Sequence, residues 1–336
     1  MTSGPRTDQI HLLPLAHSRR EYSVEKMGVL ASQLDDLNHP ESNKNLSIYI
    51  TGSFARGEAS KYSDVDLFFI RDSHDREQDH HNIDEICLFS DIIKIADGMS
   101  FPRFSNDGQY LQVQDVDEIL KYLGSPDDDY KNHFTARMLL ILESRPLWNE
   151  SVYKTVRQKV VESYFRDFLD HSQDFKPTFL VNDIMRFWKT LCLNYEHRRN
   201  RNEMSQDDKV KQKIRNFKLK FSRLLTCYAT IIALTEGSQS SSLNSVISLV
   251  DIPPSERLLR VGSKNAEYGE LVGQIFQKYQ WFLEKTELSE HDLQEHFRDK
   301  ERTIEAFRKA DSFGQSMFDL LQLSAKENDY LRYLVV

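Results

Sequence analysis

The stretch LSIYITGSFARGEASKYSDVDLFFI, residues 46–70, constrains the architecture of this chain more than any other. LSIYI before Thr51 and LFFI after Asp66 are short, rich in β-branched and aromatic residues and bounded by turn formers, so they read as neighbouring buried strands. Gly52 and Ser53 then fall in the turn that leaves the first strand. A glycine there lets backbone approach a polyphosphate closely, and successive amides with the Ser53 hydroxyl can cradle its oxygens. Residues two apart on an extended strand share a face, so Asp64 and Asp66 project together at the start of the second strand. Two carboxylates held that close call for a divalent cation. Magnesium, which bridges one or two carboxylates to substrate phosphates, suits the pair, and manganese fits the same ligands. Two magnesium ions would lower the pKa of an attacking hydroxyl and take up charge on departing pyrophosphate, with no histidine or cysteine required. That chemistry is transfer of a nucleotidyl group.

A lone Asp-x-Asp is common, and a polar loop capping a helix accounts for many of them. Here the glycines, Ser53, Arg56 and both aspartates stand in strand-turn-helix-strand order. The whole resembles the polymerase-β-like nucleotidyltransferase superfamily, whose signature is a Gly-Ser followed by an Asp-x-Asp. The resemblance implies that Asp64 and Asp66 are catalytic metal ligands. It implies that Ser53 and the Gly52 turn hold the β- and γ-phosphates, and Arg56 is counted with them as a substrate contact. It also implies a third acid on a following strand, for which Asp107, Asp115 and Asp117 are candidates. NDGQYLQVQDVDEIL and ARMLLILESRPL resemble the corresponding part of bacterial PII uridylyltransferase and its relatives, an alignment that favours Asp107 as the third metal ligand. The alternative is that Asp107 only turns an Asn-Asp-Gly hairpin, with Gln112 or Gln114 facing the metals.

Length and composition set the frame. A chain of 336 residues with 39% hydrophobic residues can build two compact domains with ordinary cores. No apolar run approaches the ~20 residues of a membrane span, and the start, MTSGPRTDQIHLLPLAH, carries no hydrophobic stretch behind a basic end. A cytoplasmic protein without membrane insertion is expected. Cys87, Cys192 and Cys227 lack Cys-x-x-Cys spacing, which argues against a disulfide framework or zinc site and predicts buried, inert thiols. A net charge of −8 argues against general coating of nucleic acid and leaves room for one local basic groove.

The pattern predicts an α+β fold: a small mixed-sheet, palm-like nucleotidyltransferase domain followed by an all-helical domain. Residues 1–45 supply an arm and a helix from Tyr22 to Leu37, 46–125 the core, 126–325 the helical domain with its basic groove, and 326–336 a tail. The helical assignment rests on runs such as SVYKTVRQKVVESYFRDFLDH and KVKQKIRNFKLKFSRLLTCYATIIAL, where apolar residues recur at three and four.

In the helical part, Asp183, Arg186 and Lys189 lie three apart along one helix. Asp183 with Arg186 reads as a structural pair, and the superfamily resemblance implies Lys189 as a triphosphate contact. From Arg198 to Arg223 the chain is strongly basic. Phe217, Phe221, Leu224 and Tyr228 form an apolar stripe, leaving Lys218, Ser222 and Arg223 at its edge as further substrate-binding candidates. A solvated helix face explains such a run equally well.

FSNDGQYLQ, FTARMLLILES and NDIMRFWKTLCLNYE resemble the standalone nucleotidyltransferases of bacterial antiphage systems, the Hailong type among them. This resemblance implies template-free polymerisation of a nucleoside triphosphate, dATP or ATP, into a short single-stranded oligonucleotide. It further implies priming on a carboxyl-terminal tyrosine, Tyr330 or Tyr333, and a membrane effector protein that binds the product. Docking of the last turn on the body accounts for the same tyrosines. Transfer to a protein or tRNA acceptor, and a catalytically silent nucleotide-binding regulator, are the competing expectations.

Overall fold

The computed structural model describes residues 14–37, 40, 43–72, 82–102, 104, 108, 110–170, 175–200, 204–236, 241–326 and 331–332. The chain divides into two compact units, Arg19–Arg166 and Asp167–Val336, the latter taking in the amino-terminal end through Ser18.

The first unit is built on a four-stranded mixed sheet in the order β3-β2-β1-β4. Helix α1 (Pro14–Asp35) leads into β1 (Leu46–Thr51), the short helix α2 (Gly52–Arg56) and β2 (Asp66–Arg71). Helix α3 (Asn82–Gly98) carries the chain to β3 (Val113–Asp115). Helices α4 (Val116–Lys121), α5 (Pro126–Tyr130) and α6 (His133–Leu142) then precede β4 (Ser144–Trp148) and α7 (Glu150–Glu162). β1 runs antiparallel to β2 and β4, and β3 is parallel to β2. The parallel pairing follows from the crossover by α3, so β3 is not one arm of the expected hairpin. The Asn106-Asp107 step of that expectation lies outside the described residues.

Alternation along β1 and β2 sorts the sheet into two faces. Leu46, Ile48 and Ile50 join Leu67 and Phe69 on one, buried against Leu30 and Leu34 of α1 and Leu88 and Ile92 of α3. Tyr49 and Phe68 mark the other face, their rings stacked at 5.6 Å, with Tyr153 of α7 at 6.0 Å from Tyr49. Asp66 pairs with Thr51 and shares this second face with Phe68.

Residues 126–166 belong to this unit. They were expected to be wholly helical and to open the second domain, but β4 pairs with β1 and α7 packs on the sheet. The fold remains the expected one of a mixed sheet followed by a helical region.

The second unit is helical throughout its described residues: α8 (Thr178–Arg199), α9 (Gln206–Lys218), α10 (Leu224–Thr235), α11 (Leu243–Val250), α12 (Pro254–Gly262), α13 (Ala266–Lys285), α14 (Glu290–Arg298) and α15 (Lys300–Ser324), with one 3-10 turn at Phe168–Asp170. Its core is aromatic. Phe217 lies 5.2 Å from each of Phe221, Phe282 and Phe297, and Phe221 stacks on Phe313 at 4.9 Å. Between α9 and α10 the helix widens into a π turn, Leu219–Arg223. The extra residue rotates α10 about its axis, so the buried stripe passes from Phe221 to Leu225, and Leu224 and Tyr228 are only half-buried.

No helix among the described residues is long and apolar enough to cross a membrane. The three cysteines differ in exposure, which corrects the expectation that all are buried: Cys87 on α3 is exposed, Cys192 half-buried and Cys227 buried. Burial pushes the Cys227 thiol up to about 12, against a smaller opposing pull from Arg223. A maleimide reagent should therefore modify Cys87 first in the folded protein and spare Cys227, as read by peptide mass. Equal labelling of the two would contradict this packing.

Candidate active site

The site grows out of the turn between β1 and β2. Gly52 has φ +69°, a left-handed conformation that glycine adopts without penalty. A Cβ placed there would lie 3.0 Å from Asp66 Oδ2. The glycine therefore does more than permit the turn. It makes room for a carboxylate to sit directly over the backbone. Ser53, the next residue, is half-buried in α2, and Asp66 is half-buried while Asp64 is exposed. Gly52, Ser53, Asp64 and Asp66 thus gather at one end of the β1–β2 pair.

Beneath the turn lies a buried network that sequence patterning did not announce. Arg56 donates from Nη1 to Glu143 Oε2 (2.5 Å) and from Nε to Glu58 Oε2 (2.7 Å), with all three side chains almost fully buried. Arg145 Nε donates to the Ala55 carbonyl at 2.9 Å, and Arg19 Nη1 to the Glu58 carbonyl at 3.0 Å. The Ala59 amide donates to Ser23 Oγ at 3.1 Å. The turn is pinned on one side by α1 and on the other by residues 143–145. Arg56, expected to contact substrate, is instead committed to this brace. Glu143 and Arg145 went unassigned, although an acid closing the apolar run ARMLLIL was the available signal, since a carboxylate there must meet a cation.

The register of β3 locates two of the three candidates for a third acid. Asp115 pairs with Arg71, five residues along β2 from Asp66, or about 16 Å at ~3.3 Å per residue. Its carboxylate caps α4, accepting from the amides of Asp117 (2.8 Å) and Glu118 (3.4 Å). Asp117 lies beyond it, in the first turn of α4. Neither stands at the level of Asp66, and Asp107 lies outside the described residues. Further along the carboxylate face, a shallow cleft is lined by Phe68, Tyr110, Gln112, Gln114, Asn132 and Thr135. Of the two candidate glutamines, Gln112 is exposed and Gln114 is buried, accepting from His133 Nδ1 at 2.8 Å.

The remaining expected contacts belong to the helical unit. Lys189 is exposed on α8, and Arg186 lies 3.6 Å from Asp183 in the structural pair expected of them. Lys218 is exposed and Arg223 half-buried. Ser222 is a correction: it is buried, its hydroxyl donating to the Lys218 carbonyl at 2.9 Å, because the π turn carries it inward. Tyr330 and Tyr333 lie outside the described residues.

Among the described residues no group of three or more His, Cys, Asp or Glu forms a metal site. The carboxylates of Asp64 and Asp66 are donors of the kind that would suit magnesium, an ion ordinarily held by one or two carboxylates and completed by substrate phosphates. Replacing Gly52 by alanine should raise the strain of the turn by about 1–2 kcal/mol and displace the Asp66 carboxylate. Transfer by Gly52→Ala should therefore fall further than its melting temperature accounts for, and full activity would show that Asp66 need not sit over the turn.

No curated protein matches this chain. Residues 31–128 match the model of the nucleotidyltransferase domain family, a span that runs from the second half of α1 through both aspartates to Asp128. The first unit therefore carries a nucleotidyltransferase domain, and a helical region follows it.

Proposed function

We propose that the chain is a magnesium-dependent, template-independent nucleotidyltransferase that polymerises dATP into short single-stranded DNA, a signal in antiphage defence. The observation that carries the transferase reading is the Asp66 carboxylate seated over Gly52, with Asp64 two residues ahead of it in the loop that enters β2. In this reading Asp64 and Asp66 hold the metal, joined by Asp107, which precedes β3 in the chain. Two bound magnesium ions supply charge stabilisation at the phosphates and a lowered pKa for the attacking hydroxyl. Ser53 and the backbone of its turn orient the β- and γ-phosphates, and the Arg56–Glu143 brace keeps that turn fixed. A 3′-hydroxyl, or a carboxyl-terminal tyrosine hydroxyl in the first cycle, attacks the α-phosphate in line. The α–β bridge bond breaks and pyrophosphate departs with its electron pair. Lys189 and Lys218 are the contacts proposed from the helical unit, and a membrane effector is the proposed reader of the product.

The test of this product is incubation with magnesium and each labelled ribo- and deoxyribonucleoside triphosphate, resolved by denaturing gel and intact-protein mass. A ladder from dATP is expected, with nucleotide mass on the wild-type chain and none on Tyr330→Phe/Tyr333→Phe. A labelled protein or tRNA in lysate, with no free ladder, would replace the polymerase by a modifier of macromolecules.

A further inference from the structure

The basic run of the helical unit separates by direction. Lys213 Nζ donates to the Phe297 carbonyl at 3.0 Å, and Lys220 pairs with Asp311 at 2.6 Å, so these two face α14 and α15. Val210 and Phe217 point into the core. Lys211, Arg215 and Lys218 are exposed, and their i, i+4, i+7 spacing places them on one face of α9. Among the described residues none of the three forms a salt bridge, though Asp208 is near enough that, after its hydrogen bond from Ser205, the charges of Lys211 and Arg215 also help hold its carboxyl below the usual range. The acids of α9 are confined to its first turn, where Asp207 pairs with Arg298 at 2.8 Å and Asp208 closes the capping box with Ser205. A chain of net charge −8 thus leaves a row of three cations open to solvent on a helix anchored by its aromatic side.

We infer that the Lys211, Arg215 and Lys218 ridge binds the phosphate backbone of a single-stranded nucleic acid. The inference rests on the proposed transfer for the choice of polymer, since an oligonucleotide is the acceptor or product of that reaction. Along the helix axis the three cations are about 6 and 4.5 Å apart at ~1.5 Å per residue. Their long side chains can therefore reach neighbouring phosphates of one strand. A single row of cations follows a single backbone, and contacts of this kind position a strand without reading its sequence.

The test is fluorescence anisotropy with a labelled single-stranded oligonucleotide of about 20 nucleotides, without metal or triphosphate, across a range of salt. Lys211→Glu/Arg215→Glu/Lys218→Glu should bind at least tenfold more weakly. Its log-log salt slope should be shallower by about 2, at ~0.7 per lost phosphate contact. The glutamine triple variant should weaken binding in the same direction, and thermal melting checks that both variants fold. Reversal of Lys26, Lys94 and Lys154 in the other unit, a matched change of net charge, should leave binding within about twofold. Asp64→Ala/Asp66→Ala should bind like the parent, so failure of transfer and failure of strand binding are read separately. Unchanged binding by the ridge variants would overturn the inference. So would displacement of the strand by polyglutamate as readily as by unlabelled oligonucleotide, or tighter binding of a duplex of the same sequence.

Discussion

Asp64→Ala/Asp66→Ala is expected to fold like the parent and to transfer nucleotide roughly a thousandfold more slowly, or not at all. The metal contribution to transition-state charge is several kcal/mol, and about 4 kcal/mol corresponds to three orders of magnitude in rate. The core should survive the change, because Asp64 is exposed and Asp66 half-buried. A cooperative melt in metal-free buffer checks that the variant folds. Magnesium with dATP should raise the melting temperature of the parent and leave the variant unmoved, because only the parent binds the pair. Retained turnover in a folded double variant would remove these residues from the chemistry.

The largest loss of stability is expected at Asp128→Ala. Arg137 makes a bidentate contact to Asp128, Nη1 to Oδ1 and Nη2 to Oδ2, both 2.7 Å, with neither side chain exposed. Its Nε donates to Tyr164 Oη at 2.8 Å, and the Gly124 amide donates to Asp128 Oδ2 at 3.2 Å. One buried pair therefore ties α5, α6 and the segment after α7 together. Removing the acid strands a guanidinium in the interior, at a cost of about 3–5 kcal/mol. Asp128→Leu/Arg137→Met should recover much of that, since well-packed apolar residues can replace a buried pair. Urea denaturation of the set measures both effects. A loss under about 1 kcal/mol for Asp128→Ala would show that water reaches the pair.

What the sequence made legible was local. β1 and β2 could be read because apolar residues fill both strands between turn formers, whereas the period of two applied to Asp64 and Asp66 overran the strand, which begins at Asp66 and leaves Asp64 in the loop before it. β4 was hidden. SRPLW carries a proline and an arginine, and it sits at the sheet edge where its pairing with β1 shifts register between Ile48 and Tyr49. Edges and bulges are where a strand tolerates proline. The purpose of Arg56 was hidden for another reason: its partner Glu143 lies far along the chain, and a nearby phosphate explained an arginine equally well. The position of Ser222 depended on the π turn, which no spacing rule announces. Gly52 was read correctly as a turn residue, but its contact with Asp66 required the antiparallel register that sets Thr51 opposite Asp66.

Transfer at the Asp64–Asp66 pair is tested most directly by one measurement: pyrophosphate released by the purified protein from α-labelled triphosphates with magnesium, beside Asp64→Ala/Asp66→Ala. Release by the parent alone, matched by label appearing in a new phosphodiester, is the result the site geometry predicts. Binding of triphosphate with no pyrophosphate from any of the ribo- or deoxyribonucleotides would contradict it, leaving a domain that holds nucleotides without transferring them.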